Sequence, residues 1–168
     1  MPSPKATTPP QKKEIKTNIM SYTNLIYHIV FSTYRRKPTI IEEHERELYA
    51  YINGFINNLD GKLYRVGGMP DHLHILVSIP PQISVSEFVR RIKFSTNSWL
   101  RRNQSFRNFE GWGQGYAAFS YSKEEIPIIR QYIIGQKEHH KNIAFENEYR
   151  DFITKNGVDI DEQYFLKD

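Results

Sequence analysis

The sequence predicts an α+β domain with the ferredoxin-like order βαββαβ: an antiparallel sheet with helices on one face, followed by C-terminal helices. Three observations predict it. Apolar and polar residues alternate over residues 25–33 and again over 72–79, the pattern of half-buried strands. Residues 42–58 and 84–102 repeat apolar positions three and four apart, as in helices with one buried stripe. Two shorter strand-like runs, 62–66 and 117–121, fill the remaining strand positions in that order. In this topology the first and third strands are neighbours at the centre of the sheet.

Along the chain, Leu25, Tyr27, Ile29 and Phe31 alternate with Ile26, His28, Val30 and Ser32, and Pro38 stops the strand after the basic turn Arg35-Arg36-Lys37. The first helix buries Leu48, Ile52, Phe55 and Ile56 and carries acidic residues in its first turns, which suits the helix dipole. Asp60-Gly61 is a turn, and Gly67-Gly68-Met69-Pro70 leads into the third strand. Ser84-Val85-Ser86-Glu87 is a capping box opening the second helix. That helix carries Phe88, Val89, Ile92, Thr96, Trp99 and Leu100 on one side and Arg90, Lys93, Asn97 and Arg101 on another. Ser122-Lys123-Glu124-Glu125 opens a helix expected to run to about Lys141, and a further amphipathic helix over 145–155 closes at Asn156-Gly157. An extended tail with Tyr164 and Phe165 follows.

Composition bounds the function. The 168 residues are 39% hydrophobic and 14% aromatic, enough for one domain over 21–168 with a sizeable core. Residues 1–20, rich in Pro, Lys, Ser and Thr, read as a flexible basic arm. Residues 1–19 supply +3 of the net charge of +4, so the average charge says little about the partners of the folded part. No apolar run approaches a membrane span, and the first twenty residues lack the apolar middle of a signal peptide. The absence of cysteine excludes disulfides and thiolate metal sites and fits a reducing cytoplasm.

The chemistry centres on Asp71-His72-Leu73-His74. Residues two apart on a strand share a face, roughly 6.6 Å apart at the backbone, so His72 and His74 project side by side while Leu73, Ile75, Val77 and Ile79 point to the core. Two adjacent imidazoles can hold a metal ion. They are expected on the open face of the sheet, with His28 a candidate neighbour. On the helix after Ser122, Tyr132 and Gln136 are one turn apart and share a stripe. The strand thus offers two metal ligands, and the helix a phenol and an amide oxygen. A divalent cation polarises a phosphoryl oxygen, and a phenolate can attack phosphorus and hold the product covalently.

His72-Leu73-His74 resembles the HUH motif (His, bulky apolar, His), and Tyr132 with Gln136 resembles its partner helix. Together they resemble the single-tyrosine HUH transposases of the insertion sequence 200/605 family. Further runs agree: Tyr27-His28-Ile29-Val30-Phe31-Ser32-Thr33, Gly115-Tyr116-Ala117-Ala118-Phe119-Ser120, and Tyr132-Ile133-Ile134-Gly135-Gln136-Lys137-Glu138-His139-His140. The resemblance covers about Ser21 to Phe165. It implies His72, His74 and Gln136 as ligands of Mg²⁺ or Mn²⁺, with Tyr132 attacking a single-stranded DNA phosphate to give a 5′-phosphotyrosine and a free 3′-OH. Rejoining reverses that step, so no nucleotide cofactor is needed. It also implies a homodimer, with the tyrosine helix of one subunit against the histidine strand of the other, and recognition of hairpins at element ends. Arg35, Arg36, Lys37, Arg90, Lys93, Arg101 and Arg102 are candidate hairpin contacts that the family motifs do not assign. Ala117 stands where a glycine is common, and the basic arm is extra. Two alternatives stay open: a non-catalytic or host-adopted hairpin-binding protein of the same fold, and a mononuclear zinc hydrolase built on His72 and His74.

Overall fold

Strand pairing follows directly from the alternating segments. The computed structural model describes residues 21–168, so the expected basic arm lies outside the described residues. Strands β1 (Leu25–Ser32), β2 (Lys62–Met69), β3 (His72–Ile79) and β4 (Ala117–Tyr121) form one antiparallel sheet in the order β2-β3-β1-β4. The two strands expected at the centre are the central pair. Helices α1 (Glu45–Asn58) and α2 (Val85–Arg102) pack on the face carrying Ile29, Phe31, Leu73, Ile75, Val77 and Ile79. Ser84 caps α2 by accepting from the Glu87 backbone N–H at 3.2 Å, but the expected capping box is only half formed, because the Glu87 side chain pairs with Arg90 and Arg91 instead.

The other face of the sheet is not open, and here the sequence expectation is corrected. Helices α3 (Ile126–Ile134), α4 (Gln136–His139) and α5 (Phe145–Lys155) cover it. Ile26 and Leu76 pack there with Ile129 and Ile133, while Val30 and Ala117 pack with Phe145 and Tyr149. The physical reason lies in the strands themselves. Ile26, Val30 and Leu76 share the histidine face, and burying each such side chain contributes about 1.5–3 kcal/mol, so that face also requires an apolar cover.

Further boundaries differ from expectation, among them the first helix, whose residues 42–44 form a 3₁₀ turn before α1 begins at Glu45. The helix expected over 122–141 begins with a 3₁₀ turn, with Ser122 and Glu125 forming the capping box, and is interrupted at Gly135 between α3 and α4. Glycine is a poor helix former, and here it sits at φ −79°, ψ 5°. The tail expected as extended chain instead turns over residues 162–166.

Strand β2 continues past Val66 because Gly67 and Gly68 still pair with His74 and Leu73. Both glycines permit close approach. A Cβ on Gly67 would lie 2.9 Å from Ile133 Cγ2 of α3, and one on Gly68 would lie 2.2 Å from the His72 carbonyl oxygen. Gly68→Ala is therefore expected to force the β2–β3 turn apart and cost more than about 2 kcal/mol, measured by chemical denaturation.

Candidate active site

His72 and His74 stand on the central strand with no more than 1% exposure, roofed by α3 to α5. The Phe145 ring of α5 stacks on His72 with centroids 4.1 Å apart. Each imidazole is held from behind. Asp71 Oδ1 lies 2.7 Å from His72 Nδ1, and His28 Nε2 lies 2.8 Å from His74 Nδ1. His28 comes from β1, where its register opposite Leu76 makes it the diagonal neighbour of His74.

The forward nitrogens converge on Glu148 of α5. Its Oε1 lies 3.3 Å from His72 Nε2, 3.0 Å from His74 Nε2 and 3.1 Å from His140 Nε2. Its Oε2 accepts the Tyr132 hydroxyl at 2.5 Å and the Gln136 amide at 2.8 Å, with His139 Nε2 at 3.3 Å. The Gln136 Oε1 lies 3.1 Å from both His72 Nε2 and His140 Nε2. Tyr132 and Gln136 therefore reach one centre despite the break at Gly135.

Burial and hydrogen bonding set the protonation states. Burial alone would empty the His72 ring of charge, but its bonds to Asp71 and Glu148 outweigh this and push its pKa up to about 9. Burial pushes His74 down to about 4, helped by the neighbouring His72 charge. His28 is pushed down by burial and by His74. Burial works against ionisation of Glu148, yet the bonds from His72 and His74 hold its carboxyl well below the usual carboxylate range. Tyr132 is pushed up, first by burial and then by its bond to the Glu148 carboxylate, so its phenol rests protonated.

One ligand atom each from His72, His74 and Glu148 can be chosen so that all lie within 4.8 Å of one another. Two imidazole nitrogens and a carboxylate oxygen form a donor set that suits a small divalent cation. Asp71 behind His72 is the usual carboxylate support of a metal-binding histidine. Glu148 was not evident in the sequence. In Phe145-Glu146-Asn147-Glu148-Tyr149 it reads as an acid placed for the dipole of α5; only the burial of the helix face between Phe145 and Tyr149 sets it apart.

Tyr132 remains 36% exposed, on the accessible side of the cluster. The site is complete within one chain: its own α3 carries the phenol to its own histidine strand, with Tyr132 and His74 ring centroids 5.7 Å apart. The resemblance implies that helix in the partner's place.

The basic candidates fall in two groups: Arg90, Lys93, Arg101 and Arg102 on α2, which packs on the opposite face of the sheet, and Arg35, Arg36 and Lys37 in the turn after β1, beside the C-terminal tail. Arg36 donates to the Leu166 carbonyl at 2.8 Å and lies 3.6 Å from Asp168. The Arg35 backbone N–H donates to Asp168 at 2.7 Å, and Lys37 pairs with Glu110 at 2.7 Å. Lys93 donates to the Gly113 and Gly115 carbonyls, and Arg101 to the Glu110 carbonyl. Lys93 and Arg101 line one concavity with Tyr34, whereas Arg90 and Arg102 line another. Phe94, which borders both, is 73% exposed.

Fold and site together define the class: a ferredoxin-like domain with a buried His-Leu-His cluster competent for a cation and a phenol at its edge. The chain belongs to the IS200-like transposase family, whose model, "Transposase IS200 like", matches residues 21–136. The match ends at Gln136, so Glu148 lies beyond it. The chain is 28% identical over 123 residues to the transposase for insertion sequence element IS200 of Salmonella typhimurium, covering 70% of this chain and 80% of that protein. The Salmonella typhi counterpart matches equally. Among solved structures, a candidate transposase of Deinococcus radiodurans shares the fold, with TM-score 0.52 and 22% identity over 73% of this chain and 98% of that one. A REP-associated tyrosine transposase bound to a REP hairpin aligns with TM-score 0.55 and 12% identity over 88% of this chain and 94% of that one. No helix among the described residues is long and apolar enough to cross a membrane.

Proposed function

We propose that this transposase cleaves and rejoins single-stranded DNA through a covalent 5′-phosphotyrosine on Tyr132, with DNA hairpins as its recognition element. The observation that carries the reading is the 2.5 Å hydrogen bond from Tyr132 to Glu148, whose other oxygen meets both strand histidines. The nucleophile thus stands one carboxylate away from the cation cluster. The relative solved with a REP hairpin supports a hairpin as the DNA partner.

His72, His74 and either Glu148 or Gln136 would hold Mg²⁺ or Mn²⁺. When bound, such an ion withdraws charge from a non-bridging phosphoryl oxygen. Tyr132 Oη attacks phosphorus, the P–O3′ bond breaks, and the phenol proton passes to Glu148 Oε2 as the new Tyr–O–P bond forms. The 3′-oxygen takes up a proton from solvent as it leaves. Attack of another 3′-OH on the phosphotyrosine reverses these steps. Asp71 fixes His72 with Nδ1–H toward the carboxylate, which frees Nε2 as a ligand, and His28 does the same for His74. Arg90, Lys93, Arg101 and Arg102 on α2, and Arg35, Arg36 and Lys37 in the turn after β1, would contact hairpin phosphates. A homodimer belongs to this reading.

The test is to incubate purified protein and Mn²⁺ with 3′-labelled single strands taken from the DNA flanking its gene. A labelled species that survives denaturation is expected, and it should vanish on chelation. Release of free ends with no protein-linked label would overturn the reading. Asp71→Ala and His28→Phe are each expected to weaken Mn²⁺ binding by about 10–100-fold, read by calorimetry, because each removes the support of one imidazole.

A further inference from the structure

A cavity of about 270 Å³ opens beside Tyr132, between α3 and α5 and against the sheet. That is just below the range of drug-sized ligand pockets, roughly 300–1,000 Å³, and suits a single flat ring system. Its walls include the rings of Tyr132, Tyr121 and Phe152 and the side chain of Ile128. Ile128 is 72% exposed at the rim. A lone exposed isoleucine needs no explanation, but one at the mouth of an aromatic cavity that includes the nucleophile adds apolar surface where a ligand would pass. Asn156 braces the cavity by accepting the Tyr121 hydroxyl at 3.3 Å and donating to the Phe152 carbonyl at 2.8 Å. Its amide is therefore committed, and Asp151 supplies an acceptor at the same cavity.

In-line displacement decides which part of a DNA strand reaches this place. The attacking and leaving oxygens lie on opposite sides of phosphorus. The nucleoside that departs with the 3′-oxygen is therefore directed away from Tyr132. The nucleoside on the 5′-oxygen stays bonded to the phosphotyrosine and lies close to the tyrosine side chain.

Resting on the phosphotyrosine reading above, we infer that this cavity seats the nucleobase immediately 3′ of the scissile phosphate. Phe152 and Ile128 supply its faces, and Asp151 accepts from an amino-bearing edge. Stacking a base on an aromatic side chain is worth enough to hold the protein-linked strand in place between cleavage and rejoining. A carboxylate acceptor pairs with the exocyclic amine of cytosine or adenine and finds no such donor on the O4 edge of thymine.

The experiment uses the full chain, Mn²⁺ and a 3′-labelled flanking strand whose cleavage position has been mapped. An abasic nucleotide is placed either just 3′ or just 5′ of the scissile phosphate, and strand binding is measured in parallel. The 3′ abasic strand should form the protein-linked species about tenfold more slowly than the intact strand, and the 5′ abasic strand should fall by less than about threefold. Ile128→Asp should reproduce the tenfold loss on the intact strand and add nothing on the 3′ abasic strand. Asp151→Asn should narrow the difference between cytosine and thymine at that position. Equal losses from the two abasic strands, or an Ile128→Asp loss that persists undiminished on the 3′ abasic strand, overturn the inference and leave the phosphotyrosine reading intact. Failure of every strand to give a protein-linked species, with strand binding preserved, overturns both.

Discussion

Tyr132→Phe is expected to abolish the protein-linked DNA species, a loss of more than about 10⁴-fold, while the protein folds and binds hairpin DNA as before. The substitution removes the attacking oxygen and leaves the ring, so the packing of Tyr132 against His28 and His74 is preserved. Glu148 loses one of the groups gathered on its carboxylate, and a lost hydrogen bond to a charged group costs about 1.5–3 kcal/mol, less than the stability of a typical domain. Circular dichroism and a hairpin mobility shift would verify folding and binding, and the labelled-strand assay would measure chemistry. A tyrosine acting through another group would retain part of the activity, because non-covalent roles are worth about 10²–10⁴-fold rather than the whole reaction. A protein-linked species that persists in the variant would move the nucleophile elsewhere. Tyr121, whose ring lies 6.3 Å from that of His28, would be the next phenol to substitute.

Much of this arrangement was legible in the sequence. The alternation in β1 and β3 gave the central pair, and the His-Leu-His spacing gave two imidazoles on one face, both as found. Tyr132 and Gln136, one turn apart, do reach a common centre. What the sequence did not reveal was the second cover on the sheet. The eye rests on His72 and His74 and takes their face as polar, but Ile26, Val30 and Leu76 share it and require burial. That omission also concealed Glu148. An acid in the first turns of an exposed amphipathic helix is ordinary, and only docking α5 on the histidine face turns it into a partner of the cluster. The break at Gly135 was similarly hidden, because the apolar spacing of Ile126, Ile129 and Ile133 continues smoothly up to it.

The carboxylate and the amide make distinct predictions for cation binding. Gln136 offers a neutral oxygen, whereas Glu148 offers a full negative charge in a buried site, where charge interactions are stronger than in water. Hard divalent cations favour carboxylates for the same reason. Glu148→Gln, which keeps shape and removes charge, is therefore expected to weaken Mn²⁺ binding by about a hundredfold or more. It should also cost the metal-free protein about 1–3 kcal/mol, because His72 and His74 lose a charged partner where neither is exposed. Gln136→Ala should weaken Mn²⁺ binding about tenfold, as loss of a group that orients Glu148 through its amide rather than of a principal ligand. Isothermal titration with Mn²⁺ orders the two variants, and thermal denaturation with and without the ion separates lost affinity from lost folding. The reverse order, with Glu148→Gln binding normally and Gln136→Ala failing, would make the amide oxygen the third ligand. Glu148 would then be left as the acceptor of the Tyr132 proton, and its substitution would slow formation of the protein-linked species at saturating Mn²⁺.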